Sequence, residues 1–320
     1  MPPLAPSSVS AVVPVYNGSA SLEELVLRLD AVLASLASEY EVILVDDGSR
    51  DASWATITAL ASRYPKVRGH RMMRNYGQHN ALLCGIRAAR YGLIVTLDDD
   101  LQHPPEEIPV LLAALSPDVD VVYGTPQAQQ HGLLRDFASW MTKLVLQGAM
   151  GADIARRVSA FRIFRAPLRS AFDQYQNPYV SIDVLLTWAT TRYAAVVVRH
   201  EPRRAGRSNY TLRMLVRHAL NMVTGFTVRP LQIASLVGFG STLFGFAVLA
   251  WVVGRALIQG IAVPGFAFLA STIAIFAGAQ LFTLGIIGEY LARMHLRLMS
   301  RPVYAVREET PPGDPSGSRL

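Results

Sequence analysis

From Leu231 to Gly254 no residue carries a charge, and after the lone Arg255 none does so again until Glu289. Each run can hold a helix of about 20 residues, the length that crosses the hydrocarbon core of a bilayer. The core helix of a soluble domain rarely stays uncharged for so long, so the two runs predict transmembrane helices near 232–254 and 266–288. Arginine placement then sets the direction. Arg203, Arg204, Arg207, Arg213, Arg217 and Arg229 precede the first span, Arg293, Arg297 and Arg301 follow the second, and the loop between offers only Arg255. By the positive-inside rule both ends of this hairpin face the cytoplasm. Met1–Ser8 shows no basic-then-apolar signal pattern, so the part ahead of the hairpin is expected on the cytoplasmic side of an inner (plasma) membrane.

The net charge of +6 and isoelectric point near 9.6 would suit nucleic acid. The arginines, however, crowd next to the hairpin, where an anionic lipid surface or a lipid phosphate explains them better. The lipid bilayer is therefore an expected partner and nucleic acid is not. Cys84 is the only cysteine, which excludes an intramolecular disulfide, and its helical setting points to packing.

Ahead of the hairpin, strand and helix patterns alternate. Val9–Val15 is a buried-strand pattern ending in turn residues, and Ser21 with Glu24 has capping-box spacing before a helical stripe of Leu22, Leu25, Leu29, Val32, Leu33 and Leu36. Val42–Val45 ends in Asp46-Asp47-Gly48-Ser49, and Asp51 is placed to cap a helix through about Tyr64. A third strand near Val67–Met72 leads through Arg74-Asn75-Tyr76-Gly77 into a helix to about Arg90, and a fourth strand follows at Leu93–Leu97. This alternation implies an α/β fold with a mostly parallel open sheet covered on both faces.

Ligands of such sheets collect at the carboxyl ends of the strands. There stand Pro14–Asn17, Asp46–Ser49 and Asp98-Asp99-Asp100-Leu101-Gln102. If the last stretch stays extended, Asp98, Asp100 and Gln102 share one face and Asp99 points elsewhere. Two carboxylates and an amide carbonyl are hard ligands for Mg²⁺ or Mn²⁺, ions that leave positions for substrate phosphate and water. The other reading is that the acids cap and charge-balance a helix beginning at Pro104 or Pro105. Asp46 and Asp47 are either acceptors for a base or ribose, or members of an Asx turn. No Gly-rich phosphate loop and no dinucleotide fingerprint occurs, and the histidines lack paired metal-ligand spacing.

The order Pro14-x-Tyr16-Asn17, Val45-Asp46-Asp47-Gly48-Ser49, Arg74-Asn75-Tyr76-Gly77, Asp98-x-Asp100-Leu101-Gln102-x-Pro104-Pro105-Glu106 resembles family 2 glycosyltransferases of the A-type, Rossmann-like fold. Arg203-x-x-Gly206-x-Ser208-x-Tyr210, Gly288-Glu289-Tyr290 and Arg301-Pro302-x-Tyr304 extend the resemblance to the polyprenyl-phosphate glycosyltransferases. Gly77–Ala81 and the two spans are most similar to the formamidoarabinose transferase branch.

The resemblance implies inverting, metal-dependent transfer of a sugar from a nucleotide diphosphate sugar, with UDP favoured, to polyprenyl phosphate. The alternatives are a GDP-mannose-dependent relative and, from another class, an inactive membrane scaffold. A processive polysaccharide synthase is disfavoured, because Gln-x-x-Arg-Trp is missing and two spans are too few for a polymer channel. Asp98, Asp100 and Gln102 would hold Mg²⁺ or Mn²⁺. Pro14, Tyr16, Asn17, Val45, Asp46, Asp47, Asn75, Gly77, Asp99, Ser208 and Tyr210 would bind the donor, while Arg203 and Arg135 would pair with phosphates. Homo-oligomerisation is left open.

The sequence departs from the family pattern at Gly18, where relatives often have Glu, at Asn209 in place of Lys, and at Val158-Ser159-Ala160, where some carry an acid before the Phe161–Arg162 pair. Apolar stripes at 133–145 and 212–223 suit either a membrane interface or core packing. The expected organisation is a catalytic domain at 1–210, a juxtamembrane amphipathic helix at 211–230, a hairpin at 231–290, and a basic segment with a disordered tail at 291–320.

Overall fold

The computed structural model describes residues 8–126, 155, 157–177, 180–201, 229–259, 265–299 and 301–311. Arg135, Arg203, Ser208, Tyr210 and both apolar stripes lie outside the described residues.

The alternating units expected from the sequence are present. Strand β1 (Ser8–Val15) leads to helix α1 (Leu22–Leu36), β2 (Glu39–Asp46) to α2 (Ser53–Arg63), and β3 (Val67–Met72) to α3 (Gln78–Ala88) before β4 (Leu93–Thr96). A 3₁₀ turn at Pro105–Glu107 runs into α4 (Ile108–Ala113), where a proline-led helix was expected. Then come β5 (Val121–Pro126), β6 (Arg162–Arg165), α5 (Ile182–Ala189), β7 (Tyr193–Val198), α6 (Arg229–Gln259), α7 (Phe266–Leu298) and β8 (Val306–Glu309).

The eight strands form one sheet in the order β7-β5-β6-β4-β1-β2-β3-β8. The β4-β1-β2-β3 core is parallel, as is the β5–β7 pair, while β6 and β8 enter antiparallel. Helices cover both faces, which is why β1 and β2 are buried almost throughout instead of alternating. Neighbouring residues of one strand serve opposite layers. Val13 and Leu44 pack with Leu25, Leu29 and Ile57 of α1 and α2, whereas Val12 and Ile43 pack with Leu83, Ile86 and Leu185 of α3 and α5. Cys84 lies buried in the second layer, as its helical setting suggested, and burial pushes its thiol up to about 12.

Local details differ from the expected ones. Ser21 and Glu24 form no capping box: the Ser21 hydroxyl donates to Gly18 O, and Glu24 pairs with Arg28 one turn on. Asp51 does serve the start of α2, accepting from both the N–H and the hydroxyl of Ser53.

The largest difference is at the C-terminal side. Residues 301–311, expected in a basic segment with disorder beyond Glu308, belong to the same compact unit as the sheet. There β8 covers the outer edge of β3, the Gly69 N–H donates to Thr310 Oγ1 at 2.8 Å, and the Thr310 N–H returns to Gly69 O. Glu308 ties the strand further to Trp54 and Arg71. Polar, charged residues suit such an edge, and their polarity is what hid the strand in the sequence.

Helices α6 and α7 form the second unit. Pro230–Arg255 and Ile275–Leu298 are long and apolar enough to cross a membrane. The two helices approach closely at Gly245, where an added Cβ would stand 2.8 Å from the Phe276 ring. Glu289 and Arg293 pair at 2.6 Å one turn apart on α7.

Candidate active site

The carboxyl ends of β4, β1 and β2 are adjacent in the sheet, so the three polar loops predicted to converge do so. Asn17, in the left-handed region at φ +53°, stitches two of them together. Its N–H donates to Ser49 Oγ at 2.9 Å, its side-chain oxygen accepts from the Arg50 N–H at 2.9 Å, and Gly18 N–H donates to Ser53 Oγ. Tyr16 is exposed beside them. Pro14 and Val45 are paired in register and buried, so their side chains belong to the sheet interior and not to a donor surface.

Asp46 and Asp47 are braces in this structure. Asp46 Oδ1 accepts from the Ser49 N–H at 3.1 Å, which is the Asx-turn alternative. Among the described residues its buried Oδ2 has no hydrogen-bond partner, and it lies 3.6 Å from Arg71 Nε. Asp47 accepts from the N–H groups of Tyr76 at 2.6 Å and Gly77 at 2.8 Å, fastening the β3–α3 loop to the end of β2. Burial raises the Asp47 carboxyl to about 6 despite those two donors, and Asp46 adds to the rise. In the same loop Asn75 is exposed and the Arg74 guanidinium lies 4.5 Å over the Tyr76 ring.

The acidic turn corrects one step of the sequence argument. Strand β4 ends at Thr96, and Leu101 takes φ +59° with the Gln102 N–H donating to Asp100 Oδ1 at 3.1 Å, so the chain is not extended across 98–102. Strand alternation therefore cannot be what groups Asp98, Asp100 and Gln102; the turn decides their placement. Asp98 and Asp100 are half-exposed, and Asp98 Oδ1 accepts from the Gln78 amide at 2.6 Å. Among the described residues Asp99 Oδ2 is buried without a hydrogen-bond partner, and a Cβ on Gly18 would come within 2.1 Å of it, which accounts for glycine at that position here. Burial, then the charges of Asp98 and Asp100, push Asp99 up to about 7.

Several participants carried no sequence signal. Gln102 O accepts from the Glu201 N–H at 2.9 Å, and buried Glu107 takes Arg199 through Nε at 2.5 Å, so the chain leaving β7 is tied to the acidic turn two residues before Arg203 in sequence. His103 stacks on Phe161 at 5.4 Å, and its burial lowers it to about 4. Arg162 is buried against Asp183, with Thr96 accepting from its Nε at 3.0 Å, so it braces β4 and α5 and is withheld from any substrate. A buried cluster of Ser10, Glu41 and Arg68 holds the opposite ends of β1, β2 and β3.

The donor set fits a divalent cation of the Mg²⁺ or Mn²⁺ kind. Asp98 and Asp100 are half-exposed beside Asp99, whose carboxyl is raised by burial first and then by their two charges, so the turn gathers negative charge that a cation would offset. Among the described residues no three His, Cys, Asp or Glu side chains form a metal cage. An ion held by a pair of carboxylates and completed by substrate phosphate and water needs none.

Residues 10–175 match the family model described as glycosyl transferase family 2. The chain belongs to glycosyl transferase family 2. Curated relatives named undecaprenyl-phosphate 4-deoxy-4-formamido-L-arabinose transferase include one from Shewanella sediminis (strain HAW-EB3), 36% identical over 94% of this chain and 92% of its own. Another, from Pseudomonas aeruginosa (strain LESB58), is 35% identical over 96% of this chain and 91% of its own. Among solved structures, glucosyl-3-phosphoglycerate synthase from Mycobacterium tuberculosis in complex with Mn²⁺, UDP-glucose and glycerol 3-phosphate aligns at TM-score 0.50. It covers 68% of this chain and 78% of that one at 17% identity, a likeness of fold. This family 2 transferase thus has the A-type α/β fold that its strand order describes, and it is a glycosyltransferase.

Proposed function

We propose that the protein transfers a sugar, with inversion, from a UDP-sugar to the phosphate of a polyprenyl phosphate at the cytoplasmic membrane face. The observation that carries this reading is the junction of two features in one chain. Acidic and turn-forming loops converge at the carboxyl ends of β4, β1 and β2, and two bilayer-length helices follow. Relatives that match nearly the full length, hairpin included, bear the name of an undecaprenyl-phosphate sugar transferase, which supports a lipid phosphate acceptor.

The donor would lie across the loops braced by Asn17 and Asp47, with Tyr16, Arg74 and Asn75 exposed to meet it and Tyr76 partly buried under Arg74. Asp98, Asp100 and Gln102 would hold Mg²⁺ or Mn²⁺ at the diphosphate. When bound, such an ion neutralises charge that develops on the leaving nucleotide. Arg203 and Arg135 would take phosphate oxygens through the planar guanidinium fork. A phosphomonoester has a second pKa of about 6 and attacks already ionised, so no strong base is required. The lack of a carboxylate in Val158–Ala160 is consistent with that chemistry. Fixing the acceptor oxygen opposite the leaving group then supplies much of the acceleration.

The test offers purified full-length protein a panel of UDP-4-deoxy-4-formamido-L-arabinose, UDP-glucose and GDP-mannose, with undecaprenyl phosphate, in Mg²⁺, Mn²⁺ or chelator. Lipid-linked product from a UDP-sugar, lost in chelator and in Asp100→Asn, is expected. Product from GDP-mannose alone would overturn the UDP assignment, and undiminished turnover in chelator would overturn the metal.

A further inference from the structure

Gln78 opens α3, and its side-chain amide donates to Asp98 Oδ1 at 2.6 Å. We propose that Gln78 is a positioning residue of the donor site, holding the Asp98 carboxylate in the orientation in which it takes a divalent cation. The inference rests on the reading of Asp98 as a cation ligand.

The bond is short and charge-assisted, the kind that fixes a carboxylate. The terminal torsion of an aspartate is broad and roughly two-fold, so its orientation comes from its hydrogen-bond partners. The donor is itself well held. Just before it, the N–H groups of Tyr76 and Gly77 are bound by Asp47; just after it, the N–H groups of Asn80 and Ala81 return to Gly77 O, and the Asn80 amide donates to Tyr76 O at 2.6 Å. An amide projected from such a pinned helix start restrains its partner better than one on a free loop.

Charge supports the choice of residue. Asp98, Asp99 and Asp100 are consecutive, and a neutral amide can orient the first of them without a cationic charge that would compete with the ion. Residues 76–78 also join two strands that are not neighbours. Asp47 follows β2 and Asp98 follows β4, with β1 between the two strands, and this short segment binds both. Nucleotide loop and cation turn are thereby coupled.

The test measures Mn²⁺ binding to the detergent-solubilised full-length protein by the paramagnetic resonance signal of free Mn²⁺, with thermal melting alongside. Gln78→Leu should weaken Mn²⁺ about 10-fold, the usual loss when the outer partner of a metal ligand is removed, with the melting point unchanged. Transfer by this variant should recover as Mn²⁺ is raised. Gln78→Met, which keeps the length of the side chain without the amide, should behave alike, and Asp98→Asn should lose binding without rescue. Wild-type Mn²⁺ affinity in both Gln78 variants, with Asp98→Asn impaired, would overturn the role of Gln78 and leave the cation reading standing. Wild-type affinity in Asp98→Asn, or no Mn²⁺ binding by the wild type, would remove the cation reading and this proposal together.

Discussion

Replacing Gly48 by alanine tests whether the donor site depends on loops packed backbone to backbone. Gly48 sits at φ +68°, and an added Cβ would stand 2.6 Å from Arg74 C, 2.7 Å from Asn75 N and 3.0 Å from Arg74 Cα. The left-handed conformation alone costs a residue with a Cβ about 1–2 kcal/mol. The contact adds about 1–3 kcal/mol, because main chain cannot swing aside as a flexible side chain can. The least costly relaxation is for the β3–α3 loop to move off the β2 turn. That movement breaks the bonds from Tyr76 and Gly77 to Asp47 and carries Gln78 away from Asp98. A total of about 2–5 kcal/mol would lower the melting point by roughly 5–15 °C in a unit of this size. Any part spent on closing the loops around the donor would raise its KM, tenfold for each 1.4 kcal/mol or so. The assay compares melting and donor KM for Gly48→Ala and Gly92→Ala. Gly92 has no positive φ and its nearest atom to an added Cβ is Ser8 Oγ at 3.8 Å, so that change should fall within about 0.5 kcal/mol. Equal behaviour of the two variants would refute the packing argument.

Thr310→Val leaves the buried Gly69 N–H without its acceptor and should cost about 1–3 kcal/mol of stability, read as earlier melting and faster proteolysis ahead of the hairpin. Burial raises Asp47 to about 6, so between about 4 and 6 the folded protein binds more protons than the unfolded one. Stability should therefore fall as pH rises through that window and level off above it. Asp47→Asn should flatten the slope, and an unchanged slope would remove Asp47 as its source. Arg203→Ala should slow transfer about 30- to 1000-fold, the loss of about 2–4 kcal/mol of phosphate stabilisation, whereas Arg204→Ala should cost little. Equal mild losses would reduce both to a basic patch attracted to the membrane. Reporters fused at Met1 and after Leu320 should both read cytoplasmic, with one inserted near Gly260 outside; opposite readings at the two ends would refute the hairpin direction.

The sequence alone determined the alternating βα units and the place of the ligand-binding edge, because strands buried on both faces appear as short unbroken apolar runs and turns declare themselves through Asp, Asn and Gly. It likewise determined two bilayer-length helices, since helix length and charge depletion are local properties. Only the tertiary structure decided the rest. Strand β6 begins with an arginine that can be buried solely because Asp183, on α5, neutralises it. Strand β8 carries charges and follows the hairpin in sequence, yet it belongs to the sheet through pairing with β3 far back in the chain. At the site, Asp46, Asp47 and Asp98 were visible as acids. Which oxygens are engaged by backbone, which lie buried and which meet the Gln78 amide depend on loops from different strands being brought within 3 Å or so. A left-handed Leu101 turned the acidic stretch out of the extended form that its strand-like neighbours suggested. Pairings of this kind depend on distances between residues remote in sequence, and no pattern along the chain encodes them.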